Sequence, residues 1–178
     1  CDTSPPYFTL NELSLEDYRT FSKLNPPLRS EEDRLSIIEG ICDGTIDAIS
    51  SDHTPQDQDA KRLPFNQAEF GGVGLETLLS LSLNLVKNKY ISVEKLLRLL
   101  TVNPAKILNL DYGMINEQSE ADISVFDLSK SWKINPESFF GKSKNSPFDG
   151  LLVEGKNIMT FVRGRLVYRL SLIHISEP

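Results

Sequence analysis

The apolar positions of this chain follow a helical spacing through its first two thirds and then alternate. Leu35, Ile38 and Ile41 fall three residues apart, as one face of a helix requires. They follow Ser30-Glu31-Glu32-Asp33, a Ser N-cap with acidic residues in the first turn, and Gly44 ends the run. Ile46, Ala48 and Ile49 then predict a short buried strand, stopped by Ser50-Ser51-Asp52-His53-Thr54-Pro55. Residues 75–86 are nearly apolar around the whole circumference, which predicts a helix held between layers. Residues 92–100 predict an amphipathic helix with Ser92 as N-cap, and residues 101–108 a short one with Pro104 at its first position. From Asp111 the texture changes. Residues 121–127 alternate as a half-buried strand, Trp132 and Ile134 suggest another, and residues 151–168 read as a β-hairpin turning near Gly164. The pattern predicts an α/β part over residues 1–110 and a β part over residues 111–169, with no internal repeat.

The connections carry the candidate chemistry. Asp52 closes the predicted core strand, where it either accepts backbone hydrogen bonds in an Asx-turn or faces an active site at the carboxyl end of a barrel strand. His53 beside it is expected to fix the loop by hydrogen bonding rather than to ligate. Asn25 precedes Pro26-Pro27, so its backbone is restricted; its amide either satisfies a rigid loop or contacts a ligand. Gly71, Gly72 and Gly74 just before an apolar helix either bring backbone amides to a ligand or serve close packing. Ser14 with Asp17 predicts a helical turn near residue 14, and residues 57–62 a polar loop.

Composition narrows the function. A net charge of -6 with no cluster of Lys or Arg argues against a nucleic-acid groove. Cys1 and Cys42 make neither a disulfide framework nor a metal knuckle, and no apolar run spans a bilayer, so a cytoplasmic setting is expected. The chain reads as a piece of something larger: it opens on Cys1 in motif-like sequence, and residues 170–178, with His174, resemble read-through of non-native sequence.

The ordered set Asn25-Pro26-Pro27-Leu28-Arg29, Asp43-Gly44-Thr45-Ile46-Asp47, Ser51-Asp52-His53-Thr54-Pro55, Pro64-Phe65, Phe70-Gly71 and Gly74-Leu75-Glu76-Thr77 resembles the carboxyl-terminal half of class I dihydroorotases, members of the amidohydrolase superfamily. Thr101-Val102-Asn103-Pro104-Ala105 and residues 142–148 extend the resemblance, which runs from about residue 2 to residue 169. It implies the last strands and helices of a (β/α)8 TIM barrel, followed by strands of a small β-sandwich. The implied reaction interconverts N-carbamoyl-L-aspartate and dihydroorotate at a zinc site. Asp52 matches the metal-facing, proton-carrying carboxylate and is the catalytic and metal candidate. Asn25, Gln56, Phe70 and Gly71 match substrate-binding positions.

Departures from the pattern matter. Gln56 stands where the family often has histidine, and Pro6-Tyr7 where a His-His pair is common, so no role passes to those two. The other zinc ligands of the family would lie upstream of Cys1, which leaves this chain alone without the ligands to hold zinc tightly or to catalyse. Other cyclic amidohydrolases, such as an allantoinase or dihydropyrimidinase, stay open as alternatives. So does a non-catalytic subunit supporting aspartate transcarbamoylase. The expected partners are a small-molecule substrate and either further copies of the chain or that transcarbamoylase.

Overall fold

The structure is a computed structural model, and it describes residues 1–170. The expected non-native tail, with His174, lies outside these residues except for Leu170. A parallel pair, β1 (Asp2–Thr3) and β2 (Ala48–Ile49), carries the α/β part, with Thr3 opposite Ile49. Helices α1 (Pro5–Thr9), α2 (Glu31–Asp43), α3 (Gln58–Arg62), α4 (Leu78–Lys87), α5 (Val93–Leu100) and α6 (Val102–Ile107) pack around it. Strands β3 (Ile123–Lys133), β4 (Leu152–Val162) and β5 (Arg165–Arg169) form an antiparallel sheet in the order β3-β4-β5.

Local chemistry explains the element ends. Ser30 Oγ accepts from the Asp33 N–H while Asp33 accepts from the Ser30 N–H, a reciprocal capping box that starts α2. Gly44, at φ 92°, terminates it in the left-handed region. Ser92 caps α5 by accepting from the Lys95 N–H at 3.1 Å. The β4–β5 turn passes through Arg163 and Gly164, both at positive φ, as a tight hairpin between twisted strands requires.

Helix α4 carries leucines on more than one face because it serves two cores. Leu83 and Leu85 pack with Phe8, Ile38, Ile41 and Leu96. Leu81 turns the other way, onto Val73, Ile134, Phe148 and Val153. Ser80 Oγ donates to the Gly155 carbonyl at 2.6 Å, and Trp132 Nε1 donates to the same oxygen at 2.9 Å, so helix and sheet share one acceptor.

Several predicted elements differ. The early turn begins at Asn11, whose side chain accepts from the Leu13 N–H; Ser14 lies inside it. Residues 57–62 hold α3 rather than a loop, because Asp57 caps it by accepting from the Asp59 N–H. The helix expected from residue 75 starts at Leu78, leaving Leu75 exposed. Leu35 is 46% exposed, so only Ile38 and Ile41 of the α2 stripe reach the core. Pro104 is the third residue of α6, still within the turn whose N–H groups have no helical acceptor. Trp132 belongs to the same strand as residues 123–127, joined through a register shift between Asp127 and Ser131.

Candidate active site

Strand β2 delivers Asp52 to its position. The Ser50 N–H bonds the Thr3 carbonyl at 2.8 Å, the last rung of the parallel pair, and the chain then turns. Asp52 sits at φ 46°, a left-handed conformation that Asp and Asn tolerate better than most residues. Its side chain lines an open concavity of about 540 Å³ shared with Asp2, Tyr7, Asn25 and Arg34. Desolvation by the surrounding wall, and then the Asp2 carboxylate, push the Asp52 carboxyl above the ordinary carboxylate range, while the Thr54 hydroxyl opposes the shift. The Tyr7 hydroxyl donates to the Pro26 carbonyl at 3.0 Å. Burial, with the Asp52 charge adding to it, pushes that phenol up to about 12.

Asn25 and Asp52 thus face the same space. Gln56, Phe70 and Gly71 do not line it; they form a tier behind it. Three consecutive carbonyls in that tier are each held by a side chain from elsewhere. Glu69 O accepts from Lys61 Nζ at 2.8 Å, Phe70 O from Gln56 Nε2 at 3.0 Å, and Gly71 O from Asn145 Nδ2 at 3.2 Å. The Gly71 N–H donates to the Lys23 carbonyl at 3.0 Å, two residues before Asn25. Gln56 spends one amide N–H on Phe70, which leaves its second N–H and its Oε1 for a ligand.

The glycine cluster is resolved in favour of close packing. Gly71 has φ 113°, and a Cβ there would meet Thr54 Cγ2 at 2.5 Å. A Cβ on Gly74 would overlap the Ser51 carbonyl, so only glycine fits at that position. His53 fixes the loop as expected: its Nδ1 accepts from the Gly74 N–H at 3.2 Å.

The sequence reading passed over three organising residues. Asn145 is fully buried, accepts from the Gln56 N–H at 3.2 Å, and donates to the carbonyls of Thr54 and Gly71. Lys61 is also fully buried, and Lys23 nearly so, each donating to main-chain carbonyls. Lysines in polar stretches give no sign of burial, and Asn145 acts across 89 residues of sequence, so no local pattern marks them.

A model of the "Amidohydrolase family" matches residues 12–167. The chain belongs to the amidohydrolase family. The chain is 47% identical over 172 residues to a dihydroorotase of Desulforapulum autotrophicum, covering 97% of this chain and 40% of that protein. Against a dihydroorotase of Anaplasma phagocytophilum it is 48% identical over 169 residues, or 95% of this chain and 38% of that one. The structure resembles an L-hydantoinase (dihydropyrimidinase) from Arthrobacter aurescens with a TM-score of 0.87 and 31% identity, over 95% of this chain and 39% of that chain. A dihydropyrimidinase from Brevibacillus agri also matches, with a TM-score of 0.87 and 25% identity over 94% and 39% of the two chains. This amidohydrolase chain therefore spans about 40% of the length of the curated relatives it matches. Its architecture is part of an amidohydrolase TIM barrel followed by β strands.

Among the described residues no group of three or more His, Cys, Asp or Glu side chains could hold a metal ion. Asp52 offers one carboxylate, so these residues do not by themselves make a zinc site. No helix among the described residues is long and apolar enough to cross a membrane.

Proposed function

We propose that the chain is the carboxyl-terminal part of a dihydroorotase, which interconverts dihydroorotate and N-carbamoyl-L-aspartate in pyrimidine biosynthesis. The observation that carries this reading is the likeness to dihydroorotases at 43–48% identity over nearly the whole chain. In ring opening, water adds to the ring carbonyl carbon, the carbon–nitrogen bond breaks, and the nitrogen takes a proton. Asp52 is the residue that accepts the proton from water and returns it to the leaving nitrogen. Burial raises its carboxyl above the ordinary carboxylate range, which makes it a better proton acceptor than an exposed aspartate. Zinc, when bound, supplies a water of lowered pKa and a polarised carbonyl. Asp52 would supply one of its ligands. Asn25, Gln56 through Oε1 and its second amide N–H, and the backbone of Phe70 and Gly71 through the carbonyl lone pairs that the frame leaves free hold the substrate. Residues 1–110 form the barrel part and residues 111–169 the sandwich part of a cytoplasmic enzyme.

The solved structures favour a second reading, a hydantoinase-type cyclic amidohydrolase, since their printed names are hydantoinases and dihydropyrimidinases. The lower identity to them, 31% against 47%, places it second. Assaying the complete protein on dihydroorotate, hydantoin and allantoin tests the choice. Turnover of dihydroorotate above the others supports the first reading. Preference for hydantoin overturns it, and no turnover of any of them points to a non-catalytic partner of aspartate transcarbamoylase.

A further inference from the structure

We infer that Lys61, together with Lys23, is a positioning residue that holds the Phe70-Gly71 backbone in register with Asn25. The inference rests on the reading of those three residues as substrate contacts. Lys61 Nζ donates to Lys23 O at 3.2 Å and to Glu69 O at 2.8 Å. Lys23 Nζ donates to Phe65 O at 2.7 Å and to Ala68 O at 2.6 Å, and stands 4.5 Å from the Phe70 ring centroid. The Lys23 carbonyl takes both the Lys61 ammonium and the Gly71 N–H, so both its lone pairs are engaged. Two separate segments, 23–25 and 69–71, are thereby joined through a single oxygen.

The choice of side chain is informative. Burying an ammonium without a carboxylate is expensive, and neither lysine makes an ion pair among the described residues. An apolar residue would fill the same space without that cost. It would not direct hydrogen bonds at four chosen carbonyls. The charged groups facing Lys61 are Lys23, which lowers its pKa, and Glu69, which raises it; burial dominates and brings Lys61 to about 8. A neutral amine still carries two N–H bonds for the two acceptors, so the link outlasts loss of the proton.

The test uses the complete protein with Lys61→Met and Lys23→Met, singly and together. In Lys61→Met, KM for dihydroorotate should rise about tenfold, the equivalent of one lost hydrogen-bonded alignment, while kcat changes by less than about threefold. The double variant should be no worse than the poorer single one, because both lysines act on one segment. Amide hydrogen exchange should quicken at the Gly71 N–H and leave the α5 amides unchanged. Faster exchange everywhere, or a fall in kcat with KM unmoved, overturns the inference. If the wild-type protein leaves dihydroorotate intact, the proposed function fails, and the exchange arm still decides the positioning role. If Lys61→Met does not fold, Lys61→Gln, which keeps an N–H₂ donor, and Lys23→Met take the same measurements.

Discussion

The wall that carries Asp52 and Asn25 and the tier that carries Gly71 differ in what their polar groups are doing. In the tier, the carbonyls of residues 69, 70 and 71 are each committed to a donor from another segment. At the wall, the Asn25 and Asp52 side chains stand open to a concavity of about 540 Å³. Committed groups give rigidity, and open ones are free to meet a ligand. The candidate site is therefore an open edge mounted on a fixed frame, and substitutions in the two should fail in different ways.

The largest separation is expected from Asp52→Asn in the complete protein. The amide keeps the left-handed backbone and the shape but cannot carry the proton, so turnover of dihydroorotate should fall by about 10²–10⁴-fold. Stability should hold or rise in metal-free protein. A carboxyl whose folded pKa is raised stabilises the fold below its unfolded pKa, and that contribution is lost as pH climbs through the folded value. Above the folded value the desolvated charge costs stability, and the neutral amide removes that cost. Steady-state kinetics beside urea unfolding would read both, and an undiminished rate would remove Asp52 from the chemistry.

Gly71→Ala should invert that result. With φ at 113° and Thr54 Cγ2 at 2.5 Å from a new Cβ, backbone strain and overpacking together should cost about 4 kcal/mol. A urea midpoint unchanged within error would mean that the frame yields, and the contrast between frame and edge would collapse.

How much of this was legible beforehand follows the same division. The α2 box, the Ser92 cap and the Gly164 turn are written in neighbouring residues, so short-range chemistry predicts them. Asp52 and Asn25 were legible because a strand end and a proline pair mark them locally. The frame was not. Asn145 reaches Thr54 across 91 positions and Lys61 reaches Lys23 across 38, and only the folded chain brings those atoms together. Leu35 shows the opposite failure, a correct helical period whose first member stays 46% exposed.

Asn145→Ala should cost somewhat less than the glycine change, about 3 kcal/mol. It strands the buried carbonyls of Thr54 and Gly71 and the Gln56 N–H without removing much apolar packing. Asn145→Asp separates the donors from the acceptor: the Gln56 bond survives and the two carbonyls lose theirs. If the aspartate variant unfolds at the wild-type urea concentration, donation by this side chain does not hold the tier.

The smallest expected effect is a slope rather than a loss. Lys61 has a folded pKa of about 8, whereas an unperturbed lysine lies at 10.5. Between those values the unfolded chain retains a proton that the folded chain has already released, so raising the pH favours the fold. Below about pH 8 both states hold the proton and the contribution is flat. Other groups titrate in the same window, which makes the difference between proteins the useful quantity. The stability of wild type relative to Lys61→Met should therefore grow from pH 8 toward pH 10. Urea midpoints at half-unit intervals would show it. A wild-type advantage that is flat across the window would mean that the Lys61 ammonium is not burdened by its burial, and the frame would lose its most costly member.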